Sequence, residues 1–334
     1  RPLRSGHGGR PLRSGHGGRP RVTAGGTPLG RTEHVLRQLE LQVTRRLDGL
    51  LQGDYQGLLP GPGSEPGESR PYRTGDDVRR MDWNVTARTT VPHVRDEVAD
   101  RELEAWVVVD GSASLDFGTA LCEKRDLAVA AVAAVGFLTA RIGNRLGAVV
   151  VEPEGVRRIP ARTGRTAMYA LLHQLVARPR ATEGTGTTDL AAGIRQLVQP
   201  ARRRGLAVVV SDFLAPGGWE VPLRALALRH QVLAVEIVDP RELELPNVGF
   251  LSLVDPETGR RLDVPTGKAG LRERYAAAAA AERATIAAAV RRAGAAHLVL
   301  RTDRDWIRDV VAFVLTGRQR RGGLATPDRW GPAG

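Results

Sequence analysis

The sequence predicts an α/β fold, a doubly wound and mostly parallel sheet flanked by helices. Three observations predict it. Short apolar runs rich in Val, Leu and Ala recur along the chain. Helical stretches alternate with them, the arrangement that layers helices on both faces of a sheet. The clearest run, EAWVVVD at 104–110, is apolar almost throughout, as a strand covered on both faces requires.

The elements follow in order. Residues 1–30 carry the tandem repeat RPLRSGHGG at 1–9 and 10–18, too rich in Gly and Arg to bury a core, so a disordered basic tail is expected. Residues 31–103 form an N-terminal segment. Within it Val35, Leu36, Leu39, Val43, Leu47, Leu50 and Leu51 recur at three- and four-residue spacing and predict an amphipathic helix over 32–51. The Gly/Pro-rich stretch 53–69 reads as loop. The main domain, 104–317, follows with strand 104–110, helix 120–141, strands 146–151 and 156–160, and helices 166–177 and 189–199. Strand 206–211, helix 219–229 and strand 231–237 come next. A hairpin at 250–264 turns on Pro-Glu-Thr-Gly; helix 268–293, strand 296–300 and helix 303–316 end the domain. Residues 318–334 are expected to be a second disordered tail.

Composition removes several function classes. The chain has 334 residues, 42% of them hydrophobic, enough for a core. Its formal charge of +12 sits largely in the tails: +6 in residues 1–21 and +3 in 318–334, leaving about +3 for the body. Only Lys124 and Lys268 are lysines, and no nucleic-acid footprint covers the globular part. The sole cysteine, Cys122, excludes an intramolecular disulfide or a multi-Cys metal site and suits a reducing cytoplasm. The longest apolar stretch, Leu127 to Ala140, is bracketed by Asp126 and Arg141 and falls short of the roughly 20 residues a membrane span needs. The N-terminus has Arg but no apolar core, unlike a secretory signal, and the absence of an initial Met suggests a processed or truncated start.

The chemistry concentrates where predicted strands end. Asp110, Ser112 and Ser114 (DGSAS) leave the strand at 104–110; Thr188 precedes helix 189–199, with Thr187 the weaker candidate beside it; Asp212 follows strand 206–211. In doubly wound sheets, ligands bind at strand carboxyl ends where the strand order reverses. All five side chains offer hard oxygen, which suits Mg²⁺, with Mn²⁺ or Ca²⁺ as alternatives, over Zn²⁺. A competing reading makes Ser112, Ser114 and Thr188 plain helix caps.

This D-x-S-x-S, Thr, Asp set resembles the metal-ion-dependent adhesion site of von Willebrand factor A domains. The resemblance implies hydroxyl ligands from Ser112, Ser114 and Thr188, with Asp110 and Asp212 bound directly or through water. It also implies an open position for an acidic residue of a partner. Upstream, SRPYRTGDDVRRMDWNVTAR at 69–88 is similar to the signature of the domain-of-unknown-function 58 family: Arg70, Tyr72, Gly75, Asp76, Asp77, Arg79, Asp82, Trp83, Ala87 and Arg88 fit it as they stand. The resemblance covers about residues 30–317 and implies a MoxR-type AAA+ ATPase as partner. Many members carry two N-terminal transmembrane helices; none is visible here. The charged signature reads two ways: a partner-docking or gating surface beside the metal, or a local salt-bridge network with Trp83 packed on the sheet.

Enzymatic signals are weak. DGSAS is not a G-x-S-x-G elbow, and His93, His173, His230 and His297 sit in no motif. Lys124 and Lys268 lack P-loop neighbours, and no G-x-G-x-x-G opens a helix. Arg202, Arg203 and Arg204 suit a helix C-terminus, and Ala276 to Ala281 suits a solvent-facing helix. The expectation is a cytoplasmic, non-enzymatic, metal-dependent protein-binding protein. A metal-dependent hydrolase, and nucleic-acid binding through the basic tails, are the alternatives.

Overall fold

The computed structural model describes residues 69–72, 81–95, 104–140, 144–181, 184, 186–198, 205–215 and 217–322. The repeat, the expected helix at 32–51, nearly all of the Gly/Pro loop, Arg202–Arg204 and the last twelve residues lie outside them.

Strand β1 (Ser69–Pro71) precedes helix α1 (Trp83–Thr89) and pairs antiparallel with β2 (His93–Arg95). The main sheet opens with β3 (Glu104–Asp110), followed by a 3-10 turn at Ala113–Asp116 and α2 (Lys124–Ala140). Then come β4 (Arg145–Glu152), β5 (Gly155–Arg162), α3 (Arg165–Val176), α4 (Leu190–Val198), β6 (Leu206–Ser211), α5 (Glu220–Ala227) and β7 (Gln231–Val238). The four-residue helix α6 (Pro240–Leu243) leads to the hairpin β8 (Phe250–Val254) and β9 (Arg261–Pro265). The chain continues through α7 (Ala269–Ala293), β10 (Ala296–Arg301) and α8 (Trp306–Gly322).

The main sheet has six strands in the order β10-β7-β6-β3-β4-β5. All neighbours are parallel except β4 and β5. From β3 the chain builds outward through β4 and β5, then returns to lay β6, β7 and β10 on the other side. The order therefore reverses between β3 and β6, so the carboxyl ends of these two strands flank the crevice where such sheets bind ligands.

Strand alternation divides the core in two. Ala105, Val107 and Val109 face one layer with α2, α3 and α8, through Val132, Leu172 and Ile307. Trp106 and Val108 face the other with α4, α5 and α7, through Ile194, Leu223 and Val290. Val107, Val108, Val208 and Val209 are wholly buried, which explains why β3 and β6 read as continuous apolar runs. Pro160 is tolerated because β5 is the edge strand.

The expected mixed α/β architecture is the one observed. Some bounds differ. α2 starts at Lys124, since residues 117–123 form an irregular loop closed by Lys124 N–H donating to Phe117 O (2.8 Å). α8 runs to Gly322, beyond the expected 316. The short elements β1, α1, β2 and α6 have no counterpart in the sequence reading; three to seven residues are too few to show a period.

Candidate metal centre

Asp110 is the last residue of β3 and Asp212 the first after β6, and both are buried. The backbone leaves β3 tightly. Gly111 N–H donates to Val151 O (2.7 Å), and a Cβ at Gly111 would lie 2.6 Å from that same oxygen and 2.8 Å from Arg178 Nη1. Only glycine lets the chain turn here against β4, and the turn aims Ser112 and Ser114 across the sheet ends.

The five sequence-predicted residues form one hydrogen-bonded set drawn from three loops. Asp110 Oδ1 accepts from Ser112 N–H (2.9 Å) and from Thr188 Oγ1 (3.2 Å). Ser114 Oγ donates to Asp212 Oδ2 (2.8 Å) and lies 2.9 Å from Ser112 Oγ. Ser114 has one proton and gives it to Asp212, so Ser112 must be the donor in the Ser112–Ser114 bond. The protons of Ser112, Ser114 and Thr188 thus all point into the network, leaving oxygen lone pairs for a cation. Helix capping does not account for these hydroxyls. Ser112 makes no side-chain cap bond, and α4 is capped by Asp189, whose Oδ1 accepts from Ala192 N–H (2.8 Å).

Two carboxylates and three neutral hydroxyls are a donor set that fits Mg²⁺, Mn²⁺ or Ca²⁺. No three His, Cys, Asp or Glu side chains among the described residues gather closely enough to hold a metal by themselves, so a cation at this place depends on the hydroxyls.

Three side chains that sequence reasoning did not assign to the site complete its electrostatics. Ser211 Oγ donates to Asp110 Oδ2 (2.6 Å). Lys124, at the start of α2 and wholly buried, donates from Nζ to Asp212 Oδ2 (2.8 Å) and to Glu242 Oε1. Arg283 on α7 then closes the group: Nη1 donates to Asp212 O and Glu236 Oε1, and Nη2 to Glu242 Oε2, each at 3.0 Å. The signal for Lys124 was available, since it is one of two lysines in the chain and opens a helix whose residues 127–138 are all apolar; its partner Asp212 lies 88 residues away.

The two carboxyls respond differently. Burial, then the charge of Asp212, pushes Asp110 above the usual carboxylate range, against bonds from Ser211 and Ser112. Burial is also the largest influence on Asp212, but the Lys124 ammonium and the hydrogen bonds from Lys124, Leu214 N–H and Ser114 together override it and hold this carboxyl below its ordinary value.

The β8–β9 hairpin also reaches this region. Gly184 N–H donates to Pro256 O and Gly186 N–H to Glu257 O, both at 3.1 Å, which fastens the hairpin tip to the loop leading to Thr188. Burial, then the charges of Asp212 and Asp110, raises Glu257 to about 7.

The family-signature residues take a separate place. Arg70 lies in β1, and Tyr72 N–H donates to Pro92 O (2.8 Å). Asp82 caps α1, accepting from Asn84 N–H (3.1 Å) and Val85 N–H (3.2 Å). Arg88 is exposed in the last turn of α1. Trp83 is 69% exposed, which corrects the reading that packs it on the sheet: it begins a seven-residue helix that buries none of its side chains. Gly75, Asp76, Asp77 and Arg79 lie outside the described residues.

The histidines bond elsewhere. His93 Nδ1 lies 2.7 Å from Val91 O, and His297 Nε2 lies 2.7 Å from Glu236 Oε2; buried His230 has no partner for Nε2.

The family model described as "Protein of unknown function DUF58" matches residues 68–285. An uncharacterized protein of Mycobacterium tuberculosis (strain ATCC 25618 / H37Rv) is 58% identical over 290 residues, 87% of this chain and 90% of its own length. An uncharacterized protein of Mycobacterium avium is 51% identical over 168 residues, covering 50% of this chain and 97% of its own. Among solved structures, a von Willebrand factor type A protein from Catenulispora acidiphila has 13% identity and a TM-score of 0.36, covering 68% of this chain and 43% of its own. An aerotolerance-related membrane protein from Bacteroides fragilis has 11% identity and a TM-score of 0.39, covering 65% and 99%.

Proposed function

This chain belongs to the family described as protein of unknown function DUF58, and from the chemistry of its site we propose that it is a non-enzymatic, divalent-metal-dependent protein-binding component. The observation that carries the reading is the meeting of three loops: Thr188 on Asp110 and Ser114 on Asp212, with Ser112 between them.

Bound there, Mg²⁺ (or Mn²⁺ or Ca²⁺) supplies a positive centre with a coordination position for an acidic residue of a partner. The chain's own groups set the terms. Ser112, Ser114 and Thr188 present neutral oxygens, so the cation's charge is only partly offset by Asp110 and Asp212. These carboxylates in turn fix the hydroxyl protons and thereby aim the lone pairs. Lys124 and Arg283 keep Asp212 and its surroundings in place.

The partner that the family resemblance implies is a MoxR-type AAA+ ATPase, with this chain as adaptor or scaffold in assembly or chaperone-like work. We place that work in the cytoplasm, the compartment a lone free cysteine suits. Among the described residues no helix is long and apolar enough to cross a membrane. The test is capture of a purified MoxR-type ATPase on immobilised full-length chain, in Mg²⁺ and in EDTA. Capture that needs Mg²⁺ and is lost in Asp110→Ala supports the reading; capture indifferent to both overturns it.

A further inference from the structure

The cation that the described structure holds against Asp212 is an ammonium. Lys124 Nζ is wholly buried, 2.8 Å from Asp212 Oδ2, the same oxygen that accepts from Ser114 Oγ. A buried ammonium is costly unless charges and hydrogen bonds surround it, and here they are arranged with care. Asp212 takes one side and Glu242 the other. Glu242 is itself fixed, its second oxygen accepting from Arg283 Nη2 (3.0 Å) and from Asp239 N–H (3.1 Å). Asp239 lies at the end of β7 and Glu242 in α6, so the lysine is anchored from outside the three metal-binding loops.

We propose that Lys124 is a resident counter-ion of this site, which satisfies Asp212 when no metal is bound and sets the affinity with which a divalent cation enters. The inference rests on the metal reading above and specifies its regulation. A cation approaching Ser112, Ser114 and Thr188 meets one carboxylate, Asp110, whose hydrogen-bond donors among the described residues are an amide and two hydroxyls, and another, Asp212, already paired with the Lys124 ammonium. Like charges in a buried site repel with little screening, so Lys124 weakens the metal while keeping the metal-free fold intact. The site is thereby tuned to exchange its ion, as a reversible partner-capture device requires. Glu242 is the second seat of the ammonium, and its hold on Lys124 limits how fully the lysine neutralises Asp212.

The test measures Mn²⁺ binding to the full chain by electron paramagnetic resonance, with circular dichroism to check folding. The double variant Lys124→Met/Glu242→Gln removes one charge of each sign, so the net charge is unchanged while the ammonium leaves Asp212. Its Mn²⁺ dissociation constant should fall at least tenfold, and its metal-free melting temperature should drop and be restored by Mn²⁺. Glu242→Gln alone keeps the bonds to Arg283 and Asp239 but weakens the second seat, and should raise the dissociation constant at least threefold. Should the double variant not fold, this single variant decides. Wild-type binding with an unchanged constant in the folded variants overturns the role of Lys124 and leaves the metal reading standing. No Mn²⁺ binding in wild type or variants overturns both.

Discussion

Ser114 Oγ donates to Asp212 Oδ2 at 2.8 Å, although 98 residues separate them in the chain. This bond joins the end of β3 to the end of β6 across the point where the strand order reverses. It also fixes the direction of the two serine protons, because Ser112 is left to donate to Ser114, while Thr188 donates to Asp110. A serine whose proton is engaged by a carboxylate keeps its lone pairs for a cation. The consequences can be measured one residue at a time.

Saturating Mg²⁺ should stabilise the native chain, because the unfolded chain has no assembled site. At a concentration about 100 times the dissociation constant the gain is about 2.7 kcal/mol, which for a domain of this size raises the melting temperature by roughly 5–10 °C. EDTA should reverse it. A melting temperature indifferent to Mg²⁺, Mn²⁺ and Ca²⁺ would contradict the site.

Asp110→Asn should separate stability from metal binding. The wild-type carboxyl is burdened by burial and by Asp212, so an uncharged isostere leaves the metal-free melting temperature unchanged or higher. The divalent-dependent increase should vanish. Ser112→Ala and Thr188→Ala should each weaken Mn²⁺ binding at least tenfold, read by calorimetry.

Gly111→Ala tests the turn. Its new Cβ would sit 2.6 Å from Val151 O, a backbone atom that cannot rotate away. The strand end must shift, taking Ser112 and Ser114 with it. We expect about 1–3 kcal/mol of destabilisation, the usual cost of forcing extra atoms into a packed region, and loss of Mn²⁺ binding, measured by denaturant titration and calorimetry.

Asp239→Ala provides a contrast. Its carboxylate accepts from Thr119 N–H (2.8 Å), Thr119 Oγ1 (2.6 Å), Thr302 Oγ1 (2.8 Å) and Arg241 N–H (2.9 Å), tying the loop before α2 to β7 and β10. Removing it leaves the buried Thr302 hydroxyl without this acceptor and frees the part-buried Thr119 and Arg241 donors, and should cost about 1–3 kcal/mol in denaturant unfolding. Mn²⁺ affinity of the folded fraction should change less than threefold.

Glu257 gives a pH signature. Its value is about 7 when folded, against 4.5 for the ordinary group. Between these the native state binds more protons than the unfolded one, so stability falls as pH rises from about 4.5 to 7, and the penalty is complete above 7. Glu257→Gln should flatten that slope in metal-free melting curves. An unchanged slope would show that the hairpin tip does not sense the site's charge.

Much of the fold was open to sequence reasoning because it depends on local periodicity. The runs at 104–110 and 206–211 declare strands buried on both faces, and the Pro-Glu-Thr-Gly turn declares the hairpin. Asp110, Ser112 and Ser114 are legible together since they lie within five residues, and Thr188 and Asp212 could be added from their places beside predicted elements. Trp83 went the other way: an aromatic residue suggests burial, yet α1 buries no side chain.

By itself, then, the sequence determined the order and kind of the main elements and picked out five oxygen-bearing side chains that the fold brings into one hydrogen-bonded set, since both follow from side-chain spacing along the backbone. Tertiary structure alone decided which charges face one another. Lys124 could have been a solvated helix residue; the crossing of β6 beside β3 and the return of α6 and α7 over the sheet end give it Asp212 and Glu242 instead. Electrostatic partners in a buried site are set by distance in space and by exclusion of water, and neither is written in the spacing of residues along a chain.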